Sequence, residues 1–573
     1  MKKVFALLLV LLLTFTLFAS CSKKDSDSGS SSQSSSSSNS SNQTTATPSG
    51  EKILVMGLSS VDGVFNPILS DQVYDSYVCS CIFDGLVDND KFGEYIPGLA
   101  TWEVSADRLT YTFTLKDGVA FSDGTPLTAE DVEFTYVTIA HPDYNGPRSY
   151  AVDMLLGYEE YNAGETDVFE GIKVIDEKTI SFTFTEEFYG EPVASPANIE
   201  CFVYGIMSKD YYAFDSWEQF EALNDNPMGS GFLVFDSWAL NDFVKLNTNM
   251  NYWDESRALK IDGVLLTNVP EDSLIGALST GDIDFGQLTA TQENWDEAAS
   301  TAGIVPLKYL GNGYTFLCFN TLKPMLADLR VRQALMYALD RKSFIAAYYG
   351  ADLAMPGLAP ISPSSWAFPD ISEMNDYAFD LDKAGELLDD AGWLMGSDGY
   401  RYKDGNKFEI HWLVYEDSPW PGVLSGMAYD TWKQVGIDLI IEKMDFNSVA
   451  DKTMDAEPED RDFDIYTMGF SLSIDPDPRG ALFDADASAA GGFNASGFRD
   501  DRSQELMMQG RAEFDQAKRA AIYKEWAALQ NDLIPTVIIA YRFEIWGINE
   551  RVKGLDIGTY FDWVQCLPDV TID

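Results

Sequence analysis

The chain divides near residue 50 into a part that cannot build a core and a part that must build all of it. Residues 1–20 open with Lys2 and Lys3, run almost unbroken in apolar residues from Val4 to Phe18, and end on the small residues Ala19 and Ser20. That order, a basic start, an apolar centre and a small-residue cleavage site, is the pattern of a secretory signal. The apolar run is shorter than the roughly 20 residues needed to span a bilayer. Residues 22–50 are dominated by Ser, Asn, Gln and Thr. Such a stretch has nothing to bury and is expected to stay disordered as a flexible leash. The folded body is therefore confined to residues 51–573, which is long enough for more than one domain.

Between signal and leash stands Cys21. Phe18-Ala19-Ser20-Cys21 resembles a bacterial lipobox, with Phe where the pattern usually has Leu. The resemblance implies cleavage before Cys21, lipidation of that cysteine and a body tethered to a membrane. Each buried methylene of a lipid chain contributes about 0.8 kcal/mol and stable anchoring takes more than one chain. Bacterial lipoproteins carry several. The alternative is a freely secreted protein with a chance cysteine.

The formal net charge is −52, from 91 acidic and 39 basic residues. Binding nucleic acid needs clustered Lys and Arg, so that partner is excluded. Broad adhesion to anionic lipid is excluded for the same reason. Acidity of this kind keeps an exported protein soluble. The 13 Trp, 28 Tyr and 35 Phe favour large rigid contact surfaces, in a core or in a cleft. Besides Cys21 the chain has Cys79, Cys81, Cys201, Cys318 and Cys566. An odd number in a long chain is no disulfide framework, and buried free thiols are expected.

Strands alternate with amphipathic helices, which gives an α/β body. Residues 109–115 (LTYTFTL) and 179–185 (TISFTFT) alternate as strands. Thr128, followed by Asp131 at the third helical position, starts a helix with a capping box. Residues 329–349, 381–391 and 502–531 read as helices, the second stopped by Gly392. Residues 536–541 and 544–548 read as the last two strands.

Most catalytic chemistry has no footing here. His141 and His411 are the two histidines, and neither sits in a metal-ligand pattern. No Gly-x-Ser-x-Gly elbow and no phosphate-cradling loop occurs. A pair of carboxylates acting as a hydrolase remains open, without a positive motif. Asp475-Pro476-Asp477-Pro478 lacks the alternating ligands and turn glycine of a calcium loop, and reads as a rigid turn presenting one or two carboxylates.

Several blocks stand in order along the chain: Val64-Phe65-Asn66-Pro67, Pro97-Gly98-Leu99-Ala100-Thr101-Trp102, Phe121-Ser122-Asp123-Gly124-Thr125-Pro126, Asn251-Tyr252-Trp253, Gly281-Asp282-Ile283-Asp284, Phe319-Asn320-Thr321 and Asp328-Leu329-Arg330-Val331-Arg332. Together they resemble the family 5 extracellular solute-binding proteins, which include the oligopeptide-, dipeptide- and nickel-binding proteins of ABC importers. The resemblance implies a two-lobed periplasmic-binding-protein type II fold with an extra subdomain inserted in the first lobe. Lobe I would comprise 51–309 plus 534–573, with the insertion at about 92–199, and lobe II 310–533. The crossings, near Gly311-Asn312-Gly313 and Leu533-Ile534-Pro535, would be the hinge. It also implies a monomer without catalytic role, cofactor or metal, held at the cell membrane by its lipid. Facing the extracellular side or the periplasm, it would capture a short peptide between the lobes and deliver it to ABC permease subunits. A non-peptide solute, an oligosaccharide or a chelated metal, stays open, as does a sensory role.

The peptide-binding members share a segment in which a tryptophan is followed by an aspartate that pairs with the peptide's amine. Here it matches residues 469–478. Phe470 takes the tryptophan's place, and Ser471 follows it. Aligned on Pro478, the aspartate falls at Ile474, with Asp475 one place off. The slip either keeps that carboxylate in the cleft or turns it away. The resemblance further implies cleft positions at Ser59 and Phe65 after the first strand, at Tyr314 and Phe316 after the hinge, at Trp420 on a second-lobe loop, and at Asn494 beside Phe493.

Overall fold

A computed structural model describes residues 50–188 and 191–573. The signal, Cys21 and the leash lie outside the described residues. Among the described residues no helix is long and apolar enough to cross a membrane.

A twelve-stranded mixed sheet runs through the body. Its order is Leu233–Ala239, Phe243–Thr248, Gly263–Asn268, Ile53–Leu58, Phe285–Leu288, Thr536–Asn549, Gly313–Phe319, Ile465–Ser471, Glu409–Tyr415 and Asp438–Met444. Ile304–Leu310 and Ala354–Pro356 also pair with Thr536–Asn549. Parallel pairs occur near both ends, Ile53–Leu58 beside Gly263–Asn268 and Glu409–Tyr415 beside Asp438–Met444. A separate four-stranded antiparallel sheet is built from Ala100–Val104, Thr110–Leu115, Thr179–Thr183 and Ile172–Asp176.

The described residues form two hydrophobic cores. One gathers Leu54, Phe65, Tyr136, Phe182, Phe202 and Trp563, and includes the four-stranded sheet. The other gathers Phe316, Leu335, Trp412, Trp432, Tyr466 and Trp526. Three strands feed both: Ile53–Leu58, Phe285–Leu288 and Thr536–Asn549. Thr536–Asn549 pairs with Gly313–Phe319 through its first half and with Phe285–Leu288 and Ile304–Leu310 through its second. The two short strands expected from the sequence are thus a single strand of 14 residues. Its changeover lies near Arg542, several residues beyond the expected crossing at Leu533-Ile534-Pro535. Ile534 instead ends a helix in the left-handed region, at φ +39°.

Two other expected elements are also redrawn, each by an aspartate. Residues 329–349 form two helices, Leu329–Tyr337 and Arg341–Tyr348, because Asp340 caps the second by accepting from the Ser343 N–H at 3.0 Å. Residues 502–531 likewise split into Asp501–Ala512 and Gln516–Leu533, the second capped by Asp515. Asp380, Asp445 and Asp500 do the same elsewhere. A carboxylate at a helix N-terminus meets orphan N–H groups and the positive end of the dipole, so part of the chain's acidity is structural. Asp501–Ala512 and Gln516–Leu533 approach closely at Gly510, where a Cβ would stand 2.3 Å from the Tyr523 ring.

The expected capping box is present. The Asp131 carboxylate accepts from the Thr128 N–H (2.8 Å) and hydroxyl (2.9 Å) at the start of Ala129–Ile139. Arg332 and Arg341, from the family-like block, are buried clamps. Arg332 donates to the carbonyls of Leu326, Ala327 and Leu533, and Arg341 to those of Gly357, Ile538 and Asp376. The five described cysteines are free and buried.

Candidate functional site

A cavity of about 530 Å³ lies between the two cores. Its walls have different origins. One comes from residues 150–201, the other from the Asn312–Tyr314 region and the loop that leaves the strand Ile465–Ser471.

The first wall is set by a short 3-10 helix, Pro196–Phe202, capped by Ser195, whose hydroxyl accepts from the Ala197 N–H at 3.2 Å. At three residues per turn, positions three apart stack on one face. Ala197 stacks over Glu200 and Asn198 over Cys201, and all four line the cavity. Asp153 and Met154 join them from a loop whose Met154 carbonyl accepts from the Thr185 N–H. Burial pushes the Glu200 carboxyl up to about 7, helped by the like charges of Asp475 and Asp477 and opposed by the Ser473 hydroxyl. Burial raises Asp153 to about 6, against the pull of Arg479.

The second wall is aromatic at its base. Tyr314 and Phe470 face each other on neighbouring strands, with rings stacked at 5.9 Å, and Phe493 packs edge-on against Phe470 at 5.5 Å. Asn312 holds the wall's loop by donating to the carbonyls of Leu472 (2.7 Å) and Ser473 (3.1 Å).

Asp475 lines the cavity, whereas Ile474 does not. The slip therefore leaves a carboxylate at the wall, but not a free one. Both of its oxygens are engaged by Arg519, one at 2.8 Å, and one also accepts from the Asp477 N–H at 2.9 Å. Burial pushes the Asp475 carboxyl up, and the Arg519 charge opposes it. Arg519 is 2% exposed and also donates to the Gly510 carbonyl. Asp475 thus pins the loop to the helix Gln516–Leu533 while it lines the cavity. Asp477 is set against Arg511 at 3.7 Å.

Of the residues singled out from the sequence, Tyr314, Phe470, Ser471 and Asp475 come together at the cavity. The other five do not. Ser59 is exposed at the end of Ile53–Leu58. Phe65 is fully buried between Phe235 and Trp238. Phe316 shares a strand face with Tyr314 but lies deeper, edge-on to Tyr466. Trp420 follows Pro419 in the first turn of Pro419–Gln434, buried with its indole donating to the Tyr415 hydroxyl at 2.8 Å. Asn494 ties its own loop through the carbonyls of Asp484 and Phe498, while its neighbour Phe493 reaches the cavity. Sequence reasoning missed Asp153, Asn198 and Glu200. The only available signal was the Ser195-Pro196 start of a capped turn.

A model of the bacterial extracellular solute-binding proteins, family 5, matches residues 94–492. The chain belongs to this family. An oligopeptide-binding protein of Bacillus subtilis, AppA, is 26% identical over 475 residues, 82% of this chain and 83% of that protein. The structure of Bacillus subtilis AppA in complex with a nonapeptide superposes with a TM-score of 0.70 at 22% identity, covering 91% of this chain and 99% of that one. That of NikZ from Campylobacter jejuni in complex with Ni(L-His) does so at 0.71 and 21%, covering 91% and 99%. The mixed α/β fold is that of the periplasmic solute-binding proteins. The family consists of solute-binding proteins rather than enzymes.

Proposed function

We propose that this chain is the ligand-capturing subunit of an ABC importer for short peptides, performs no catalysis, and is tethered to the cell membrane through lipid on Cys21. The observation that carries the reading is the cavity between the 150–201 wall and the wall built by Asn312, Tyr314 and the loop after Ile465–Ser471. Its size lies within the range of small-ligand sites, about 300–1,000 Å³. Between residues 51–309 and the residues that follow, the chain crosses near Gly311-Asn312-Gly313 and returns within the strand Thr536–Asn549. Lobe I, 51–309 plus the C-terminal segment, and lobe II, from 310 to that strand, would close on ligand through the ligand's greater affinity for the closed state. Tyr314, Phe470, Ser471 and Phe493 would line the ligand's path. The peptide-binding relatives support peptide as the solute, and a permease would receive it.

The test is thermal unfolding of the protein, stripped of bound solute in mild denaturant, against mixed peptides, oligosaccharides and chelated metals. A ligand at 100 times its dissociation constant stabilises by about 2.7 kcal/mol. A shift with peptides alone is expected, and a shift only with sugars or chelates overturns the substrate. The anchor is tested separately, by whether Cys21→Ala releases the protein from the membrane fraction.

A further inference from the structure

The cavity carries hydrogen-bond acceptors that no described residue satisfies. Among the described residues, five buried side-chain amide or carboxylate oxygens lack a donor: those of Asp153, Asn198, Asn312, Asp477 and Gln530. The first four line this one cavity. Asn198 is the most telling. It is 1% exposed, its amide nitrogen is spent on the Val193 carbonyl at 3.0 Å, and its Oδ1 is left without a donor. A buried acceptor without a donor carries a desolvation cost that calls for an explanation.

The charges point the same way. Asp475 and Asp477 are set against Arg519 and Arg511. Across from them, Asp153 and Glu200 have no basic side chain within ion-pair distance in the described residues. Arg479 also lines the cavity; its charge acts on Asp153 without forming an ion pair, and its guanidinium donates to the Met154 sulfur at 3.4 Å. Asp153 and Glu200 thus lack an ion-pair partner on the same wall where the Asn198 Oδ1 lacks a donor, among the described residues.

We propose that this wall selects a cationic, donor-rich group on the ligand, held by Asp153, Glu200 and the Asn198 side-chain oxygen. The inference rests on the peptide reading and names its substrate class: peptides carrying an ammonium or guanidinium group here. An N-terminal ammonium and a Lys or Arg side chain offer the same chemistry. Among the described residues, no three His, Cys, Asp or Glu side chains group to hold a metal ion, so an organic cation is the better match. An ammonium has three donors and a guanidinium five, and this wall offers them the acceptor oxygens of Asp153, Asn198 and Glu200.

The test is calorimetric titration with Ala-Lys-Ala and Ala-norleucine-Ala, each with a free and an acetylated N-terminus, and with spermidine. At least one singly cationic peptide is expected to bind about tenfold or more tightly than the doubly neutral one, a difference of about 1.4 kcal/mol. The acetylated lysine peptide reports the side-chain source, and the free norleucine peptide the terminal one. In the Asp153→Asn, Glu200→Gln double variant, checked for folding by its melting transition, the preference is expected to vanish. Equal binding of neutral and cationic peptides overturns the inference and leaves the peptide reading intact, as does a preference that survives the double variant. Binding of spermidine without any peptide keeps the cationic wall and sinks the peptide reading. Binding of no probe overturns both.

Discussion

The two walls of the cavity use the same residue type to opposite ends. On the loop after Ile465–Ser471, Asp475 is locked to Arg519 and Asp477 is set against Arg511, and each arginine comes from a helix packed behind the loop. On the 150–201 side, Asp153 and Glu200 are half-buried and form no ion pair among the described residues, Arg479 acting on Asp153 through its charge alone. A buried carboxylate with its partner built in is a fastener, and its removal is felt in stability. One without a partner is poised for a charge from outside, and it weakens the empty protein. The motif that most resembled a ligand anchor is the fastener, and the unremarked acids opposite are the better candidates for contact.

The largest effect expected on this comparison is from Arg519→Met. It strands the Asp475 carboxylate in a buried site, which costs about 3–5 kcal/mol, read as a shift of the denaturant midpoint. Adding Asp475→Asn should recover part of that loss, because no charge is then left unpaired. Next comes Asp475→Asn alone. It leaves Arg519 buried with a weaker acceptor and should lower stability by about 1.5–3 kcal/mol, the worth of a hydrogen bond to a charged group. Peptide affinity in this variant should change little. A large affinity loss at unchanged stability would return Asp475 to the role of amine anchor and erase the contrast between the walls.

Glu200→Gln probes the opposite wall, and its effect has the opposite sign. The folded-state carboxyl is raised to about 7 from an ordinary value near 4.5, chiefly by burial. A raised group favours folding fully below its unfolded value, and that contribution is lost as pH rises through the folded value. The empty wild-type protein should therefore lose stability from about pH 4.5 to 7. At pH 8 Glu200→Gln should be about 1–2 kcal/mol more stable than wild type, with no difference at pH 4. Asp475, Asp477 and the Ser473 hydroxyl face Glu200 and contribute to the shift, so the comparison is best made at fixed Asp475 and Asp477. A cationic ligand should reverse the slope, binding better at pH 8 than at pH 5.

Family blocks and residue pattern made the fold legible. The capped turn at Thr128, the strands near 110 and 180 and the helix stopped by Gly392 all follow from local rules, and the structure holds them. Apolar periodicity continues across Asp340 and Asp515 and so predicts helix interior there, while their capping action depends on a backbone break that periodicity does not register. The site was less legible. Tyr314 and Phe470 share a face because their strands pair in register, and a strand pattern carries that information. Whether Asp475 is free or fastened depends on Arg519, 44 residues away on another element, and spacing cannot encode it. Asp153 and Glu200 are two among 91 acids, and what distinguishes them is burial at a cavity wall without an ion-pair partner among the described residues.

The smallest expected effects come from residues taken as cleft positions that lie outside the cavity, and they bound the site from the other direction. Trp420→Phe removes the indole's hydrogen bond to the Tyr415 hydroxyl, beside the Phe344 ring. It should cost about 1–2 kcal/mol of stability from the lost bond and the space left behind. Ser59→Ala, at an exposed strand end, should stay within about 0.5 kcal/mol. Neither should alter peptide affinity or its dependence on ligand charge, measured by the same calorimetric titration. If Trp420→Phe weakens binding while Phe493→Ala does not, then the ligand reaches past Tyr314 toward the helix Pro419–Gln434. The binding surface would then be centred on the second core rather than on the seam between the two, and the contrast of the walls would describe only the rim of a larger site.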